Sequence, residues 1–330
     1  MTTMPTEPTS APLQHRQDER PIGPQIDPPT DPQVERPAGA GTDAPTEMQT
    51  ETRIEAGAGA RPEAPLQRPA HPLLHRACDE LRYLLTAVGY FTRVPVPAWV
   101  GFAPHYLHAA ARYFPLVGLM VGAIGALVTL AAWLLWPPAV AVLIGIGATL
   151  LLTGAFHEDG LADCVDAFGG GYRREDVLRI MHDSRIGAFG ALALVLALLL
   201  KWQLLLALGQ RGGLRELLLV LVAAHAASRA MAVSYLATLD YVRPEGKAKP
   251  VAQRLSPRGL ALVLACGALP LLAVAPGFGV AAIAALALLR LVLGRYFVRR
   301  IGGYTGDCLG MAQQLGELLI YLLAAAWIWS

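Results

Sequence analysis

Four acidic residues, a glycine run and two arginines stand together in FHEDGLADCVDAFGGGYRR, residues 156–174, flanked by strongly apolar blocks. On a helix turning about 100° per residue, Asp159, Asp163 and Asp166 fall within an arc of roughly 60°. Leu161, Cys164 and Val165 point the other way, and Glu158 lies about 100° off the stripe as a neighbour. Like charges stacked this way destabilise a helix unless something positive sits against them. At a membrane boundary the cost grows, because carboxylates there are expensive and functional. A hard divalent cation answers that need: Mg²⁺ takes oxygen ligands, keeps several waters and shares substrate phosphates. The expectation is therefore metal–phosphate chemistry, with Glu158, Asp159, Asp163 and Asp166 as candidate ligands. A proton or ion pathway, or a solvated charged face, are the other uses of such acids. Gly169, Gly170 and Gly171 would end the helix and let backbone approach a ligand. Arg173 and Arg174 then offer forked donors for phosphate oxygens.

Further polar groups recur elsewhere. HDSRIG, residues 182–187, brings Asp183, Ser184 and Arg185 to the start of another apolar block. Asp183 or Ser184 there equally suits a helix N-cap. His225, Ser228 and Arg229 share one face of a further block, and Arg229 should find a carboxylate or phosphate in the acidic stretch or a substrate. His225 itself reads as a hydrogen-bonded packing residue. GGYTGDCLG, residues 302–310, places Asp307 before the last block, followed by Gln313, Gln314 and Glu317. A turn with a helix cap and a second carboxylate contribution both remain open there. His105 and His108 have no acid beside them, so no metal site is expected. Cys78, Cys164, Cys266 and Cys308 form no CxxC pair, which argues against a disulfide framework or zinc.

The elements that must hold these groups are membrane helices. Of 330 residues, 54% are apolar and 16% charged, against about a quarter charged in soluble domains. The apolar residues gather in blocks of about 18 to 23, the length that crosses a hydrocarbon core. The expected fold is all-α: a polytopic integral membrane bundle of about seven transmembrane helices. The spans run from about Phe114 to Trp136, Ala139 to Phe156, Ile186 to Leu208, Glu216 to Leu239, Leu260 to Val274, Val280 to Phe297 and Met311 to Trp329. Residues 76–93 form an amphipathic helix or a short first membrane segment, broken by VPVP. Residues 1–72, rich in Pro, Thr, Ala and Gly, read as a disordered extension, leaving 73–330 as the catalytic membrane domain.

Lys and Arg in the short loops set an orientation. With the N-terminus inside, the inner side carries Arg173, Arg174, Arg179 and Arg185, then Arg243, Lys247, Lys249, Arg254 and Arg258, then Arg299 and Arg300; the outer loops keep Arg211 and Arg215. The acidic stretch and both later polar loops then face the cytoplasm. A net charge of +2 gives no reason to expect a nucleic-acid partner.

GAFHEDGLADCVDAFGGG, IMHDSRIGAFGALAL, FTRVPVP, YFPLVGLMVG and GGYTGDCLG together resemble the cobalamin synthase (adenosylcobinamide-GDP ribazoletransferase) family over residues 80–330. Cys164 departs from the small hydroxyl residue or alanine expected there. The resemblance implies a Mg²⁺-dependent transferase of the inner membrane. Its substrates would be adenosylcobinamide-GDP and α-ribazole or its 5′-phosphate, its products adenosylcobalamin or its 5′-phosphate and GMP. Asp159, Asp163 and Asp166 would serve the metal and diphosphate, with Glu158 as ligand or support, and Arg173, Arg174 and Arg185 the phosphates. Ser184, Arg229 and Asp307 are further substrate-binding candidates. His157, Asp183 or a stripe aspartate would be the general base. Contacts with other late cobalamin-assembly enzymes, and a homo-oligomer, stay open. A CDP-alcohol phosphotransferase would need Ala-Arg where Ala162-Asp163 stands, a prenyl-type enzyme a second Asp-rich motif, and an ion-coupled transporter acids dispersed near the bilayer midplane with an internal repeat.

Overall fold

The computed structural model describes residues 72–101, 103–243 and 254–329. The extension expected over 1–72 lies outside them, apart from Pro72, which opens the first helix; Lys247 and Lys249 lie outside as well. The described residues fold into α1 (Pro72–Phe91), α2 (Pro104–Ala110), α3 (Phe114–Trp133), α4 (Pro138–Thr153), α5 (Phe156–Gly170), α6 (Arg174–Ile180), α7 (Ala188–Arg211), α8 (Leu214–Val233), α9 (Pro257–Val274), α10 (Pro276–Ile301) and α11 (Gly306–Trp329). Short 3₁₀ turns precede α2 and α3 and follow α8. Proline opens the first turn of several of these helices, where its fixed φ fits and its missing N–H is no loss. Ser256 caps α9, its Oγ accepting the Gly259 N–H at 3.1 Å.

Six helical stretches are long and apolar enough to cross a membrane: His105–Trp133, Ala188–Arg211, Leu214–Ala237, Pro257–Val274, Pro276–Ile301 and Gly306–Ile328. A seventh results if α4 and α5, bent by 87° at their junction, count as one broken span. By length and composition this is a multi-pass membrane bundle. α1 falls outside that set. It is amphipathic, burying Ala87, Val88 and Phe91 while Glu80 holds Arg112 at 2.6 Å.

The junction corrects the expected second span, which was to run straight from Ala139 through Phe156 into the acidic stretch. Instead α4 stops at Thr153, and Gly154 and Ala155 both take left-handed backbone (φ 65° and 55°). Glycine adopts that conformation at no steric cost, whereas Ala155 is held there under strain. The acidic helix therefore leaves α4 at nearly a right angle.

α8 is the central helix, packed on α3, α9 and α11. Most of its residues are buried, His225, Ser228 and Arg229 among them, as its central place requires. α5 lies against α11 and α7. A Cβ on Gly160 would meet Asp307 backbone at 2.9 Å and the Gly310 Cα at 3.2 Å, so glycine lets α5 and α11 approach closely enough to share a site.

Candidate active site

One cavity of about 410 Å³ collects much of the chemistry. Asp159 and Asp163 reach it from α5, Asp183 and Ser184 from the α6–α7 loop, Asp307 from the first turn of α11, and Arg243 from the segment after α8. His182, Tyr241 and Tyr90 complete much of the wall. Asp159 is exposed, while Asp163 and Asp307 are half-buried. Arg243 is the cation among them, with Nη2 at 2.9 Å from Asp307 Oδ2 and donating to the Met181 carbonyl at 3.0 Å. Its segment is pinned by backbone. Val242 N–H donates to the Tyr304 carbonyl and Tyr304 N–H to the Asp240 carbonyl, both at 3.0 Å, making a parallel bridge from Tyr241 to Tyr304.

Helix geometry put three aspartates on one face, but the structure turns the third to another task. Asp166 Oδ2 accepts the Gly187 N–H at 2.7 Å and Asp166 Oδ1 the Gly190 N–H at 2.8 Å. Both oxygens satisfy the open N-terminus of α7, where carboxylates are favoured. This also corrects the capping role weighed for Asp183 and Ser184: the cap comes from the acidic helix itself.

Glu158 is likewise not in the cavity wall. It is buried and accepts from Gln314 Nε2 at 2.9 Å, with Lys201 Nζ 3.9 Å away. Lys201 in turn sits 3.1 Å from Glu317 and 3.1 Å from Gln314 Oε1. Glu317 also accepts from Gln313 at 2.7 Å and from the Tyr321 hydroxyl at 3.0 Å. This network ties α5, α7 and α11 together, two carboxylates facing Lys201 and the nearby Arg229. Buried charge in a bundle persists only when paired and hydrogen-bonded in this way. Arg229, expected to seek a carboxylate or phosphate, lies in the field of Glu317 and Glu158, and its Nη1 donates to the His225 carbonyl at 2.9 Å and lies 3.1 Å from His225 Nδ1. His225 is the hydrogen-bonded packing residue its position suggested.

His157 is buried, stacked on Phe91 with ring centroids 5.6 Å apart, in a narrow aromatic recess beside Arg229 and Gln313. It lines that recess rather than the acidic cavity. Asp183 faces the cavity but is gripped by Arg185, Nη2 to Oδ2 at 2.7 Å and Nε to Oδ1 at 3.1 Å. Those bonds hold its carboxyl down at about 2, below its ordinary 3.8. A base so weak accepts protons poorly near neutral pH.

Arg173 and Arg174, expected as the phosphate clamp, are exposed outside the cavity wall, and Arg173 pairs loosely with Glu175 at 3.7 Å. The arginine that engages the glycine run is Arg300, which donates to the Phe168 and Gly171 carbonyls at 3.0 and 2.6 Å and so caps the end of α5. Sequence reasoning missed Arg243, His182, Tyr241 and Tyr90. Arg243 counted only as a loop charge, and nothing local marks it, because its partner Asp307 lies far along the chain.

The residues fit a hard cation by type, since oxygen donors face one cavity. Among the described residues no three His, Cys, Asp or Glu side chains are grouped closely enough to hold a metal ion by themselves. Mg²⁺ keeps several waters and shares substrate phosphates, so a few carboxylates are the usual protein contribution.

Fold and site together define a polytopic helical membrane protein with an acidic, arginine-bearing cavity at the ends of its spans. The family model for cobalamin-5-phosphate synthase matches residues 83–325, and the chain belongs to that family. Similar curated proteins are named adenosylcobinamide-GDP ribazoletransferase. The one from Ralstonia nicotianae is 59% identical over 259 residues, 77% of this chain and 97% of that protein. The one from Ralstonia pickettii is 61% identical over 251 residues, covering 75% and 96%. The one from Leptothrix cholodnii is 48% identical over 258 residues, covering 76% and 97%. No solved structure matches the chain.

Proposed function

We propose that this protein is a transferase joining adenosylcobinamide-GDP to α-ribazole or its 5′-phosphate, with release of GMP. The reading draws its substrates from the names of its relatives. The observation that carries it is the shared cavity of Asp159, Asp163, Asp307 and Arg243, with Asp183 and Ser184 at its edge. In the reaction a ribose hydroxyl oxygen bonds to the phosphorus that stays on the corrinoid, the bond from that phosphorus to the GMP oxygen breaks, and the hydroxyl proton passes to a base.

Asp159, Asp163 and Asp307 would hold Mg²⁺, whose contribution when bound is to neutralise charge on the diphosphate and on departing GMP. Arg243 is placed to exchange its contact with Asp307 for a phosphate oxygen, offering forked donors where charge develops. Ser184 is placed to hydrogen-bond the same oxygens. Of the bases considered, His157 lies in the aromatic recess, Asp183 is held by Arg185 and Asp166 caps α7, which favours Asp159 or Asp163 as the base. Catalysis of this kind is mostly positioning and charge neutralisation. The Lys and Arg bias of the loops supports a cytoplasmic-facing cavity at the inner membrane, where nucleotide-activated substrates are made.

The test is direct. Purified full-length protein in lipid, given adenosylcobinamide-GDP, α-ribazole and Mg²⁺, should release GMP in step with corrinoid product. Absence of GMP across a range of metals and lipids overturns the reading. A cysteine introduced into the α6–α7 loop should react with a membrane-impermeant reagent from the cytoplasmic side only, which checks the orientation.

A further inference from the structure

On the face formed by α8, α9 and α10, away from the acidic cavity, two hollows meet at one arginine. The first, about 250 Å³, is walled by small and aliphatic side chains such as Ala230, Gly267, Leu271, Ile283 and Leu286. The second, about 490 Å³ and more open, carries Arg290, Arg295 and Arg299 of α10. Arg290 lines both.

Arg290 belongs to a membrane-length helix, and no carboxylate among the described residues pairs with it. Its Nε donates to Ser234 Oγ at 2.6 Å and its Nη2 to Thr238 Oγ1 at 2.6 Å and the Ser234 carbonyl at 3.2 Å, with the guanidinium over the Tyr235 ring. Neutral partners orient this cation without neutralising it. Ser234 lies in the last turn of the Leu214–Ala237 stretch and Thr238 just beyond it, so the guanidinium sits beside the end of that stretch. Arg295 and Arg299, one turn apart and exposed, have no ion-pair partner among the described residues. No carboxylate among them lines either hollow. Three cations thus surround the mouth of an apolar slot that continues into the span region.

From this arrangement we infer a binding site for an anionic phospholipid. The phosphodiester lies among Arg290, Arg295 and Arg299, and an acyl chain enters the slot between α9 and α10. A soluble phosphate would satisfy the arginines but has no use for the slot, and a zwitterionic lipid would fill the slot but bring a cation to the arginines. Only an anionic lipid matches both halves. An intramembrane arginine open to a hollow marks a functional site by default, and forked donors suit phosphodiester oxygens. Such a lipid site is independent of the transferase reading.

The experiment titrates delipidated full-length protein in dodecyl maltoside with dioleoylphosphatidylglycerol, dioleoylphosphatidylcholine or inorganic phosphate. Thermal melting and native mass spectrometry report retention. Phosphatidylglycerol should raise the melting temperature and stay bound, while the other two should do neither. R295Q/R299Q, whose changes are exposed, should fold normally and bind phosphatidylglycerol about 30-fold more weakly, two charges each contributing roughly fivefold. Ala287→Phe, in the slot wall, should weaken lipid binding with all three arginines present. Equal retention of the two lipids, unchanged binding by R295Q/R299Q, or equal protection by inorganic phosphate would each overturn the proposal.

Discussion

Asp166 of α5 receives the backbone N–H of Gly187 at 2.7 Å, so the helix bearing the acidic stripe also caps the helix that follows the HDSRIG loop. With the second bond from Gly190, this carboxylate fixes Asp183 and Ser184 relative to Asp159 and Asp163. Asp166→Ala should therefore cost about 1–2 kcal/mol of stability, the usual loss of a helix cap. Asp166→Asn, which keeps one acceptor, should recover part of it. Unfolding of both variants in lipid checks this, and an unchanged melting temperature in Asp166→Ala would count against the capping role.

Asp163 has no such duty. Asp163→Asn should keep its melting temperature and membrane insertion while GMP release falls about 10²–10³-fold, the scale for removing a group that stabilises transition-state charge. Asp159→Asn should behave alike. Wild-type turnover in Asp163→Asn would take the stripe out of the mechanism.

Arg243 and Asp307 face each other at 2.9 Å across the cavity. Arg243→Gln should lower kcat/KM for adenosylcobinamide-GDP by about 10²-fold, and Arg243→Lys should restore only part, because an ammonium cannot reproduce the planar fork. Steady-state kinetics with each substrate varied in turn separates this from loss of the ribazole site.

The Asp183–Arg185 pair predicts a pH behaviour. Its folded pKa, about 2, is below the ordinary 3.8, so any stabilisation it brings is present above pH 4 and lost as pH falls toward 2. Both side chains reach solvent, and salt screens the pair, so its effect on stability is slight. No change in its ionisation falls between pH 5 and 9. Asp183→Asn should leave the acidic limb of a kcat/KM profile in that range where it is, and a shifted limb would return Asp183 to the role of base.

Lys201→Met strands Glu317, 1% exposed, and Glu158 in the bundle. Removing one partner of such a pair costs about 3–5 kcal/mol. The double variant Lys201→Met with Glu317→Gln should melt higher than the single one. A single variant as stable as wild type would mean that the network does not hold α5 against α7 and α11.

Much of this protein was legible in the residues alone. Apolar block length gave the spans, because a helix must bridge the hydrocarbon thickness to satisfy its own backbone. The repeat of the helix put Asp159, Asp163 and Asp166 on one side and set Glu158 apart, and the motif blocks pointed to the family. A helical wheel gives an angle and says nothing of what faces that angle at each level. Only packing decided that the stripe opens onto a cavity at Asp159 and Asp163 but meets the N-terminus of α7 at Asp166. Packing likewise sent Glu158 to Gln314 and Lys201. The 87° bend rests on two left-handed residues, and Ala155 gives no local sign of adopting that conformation. Arg243 follows α8 and Asp307 opens α11, and only the fold, by pinning Tyr241 beside Tyr304, makes them neighbours in one site.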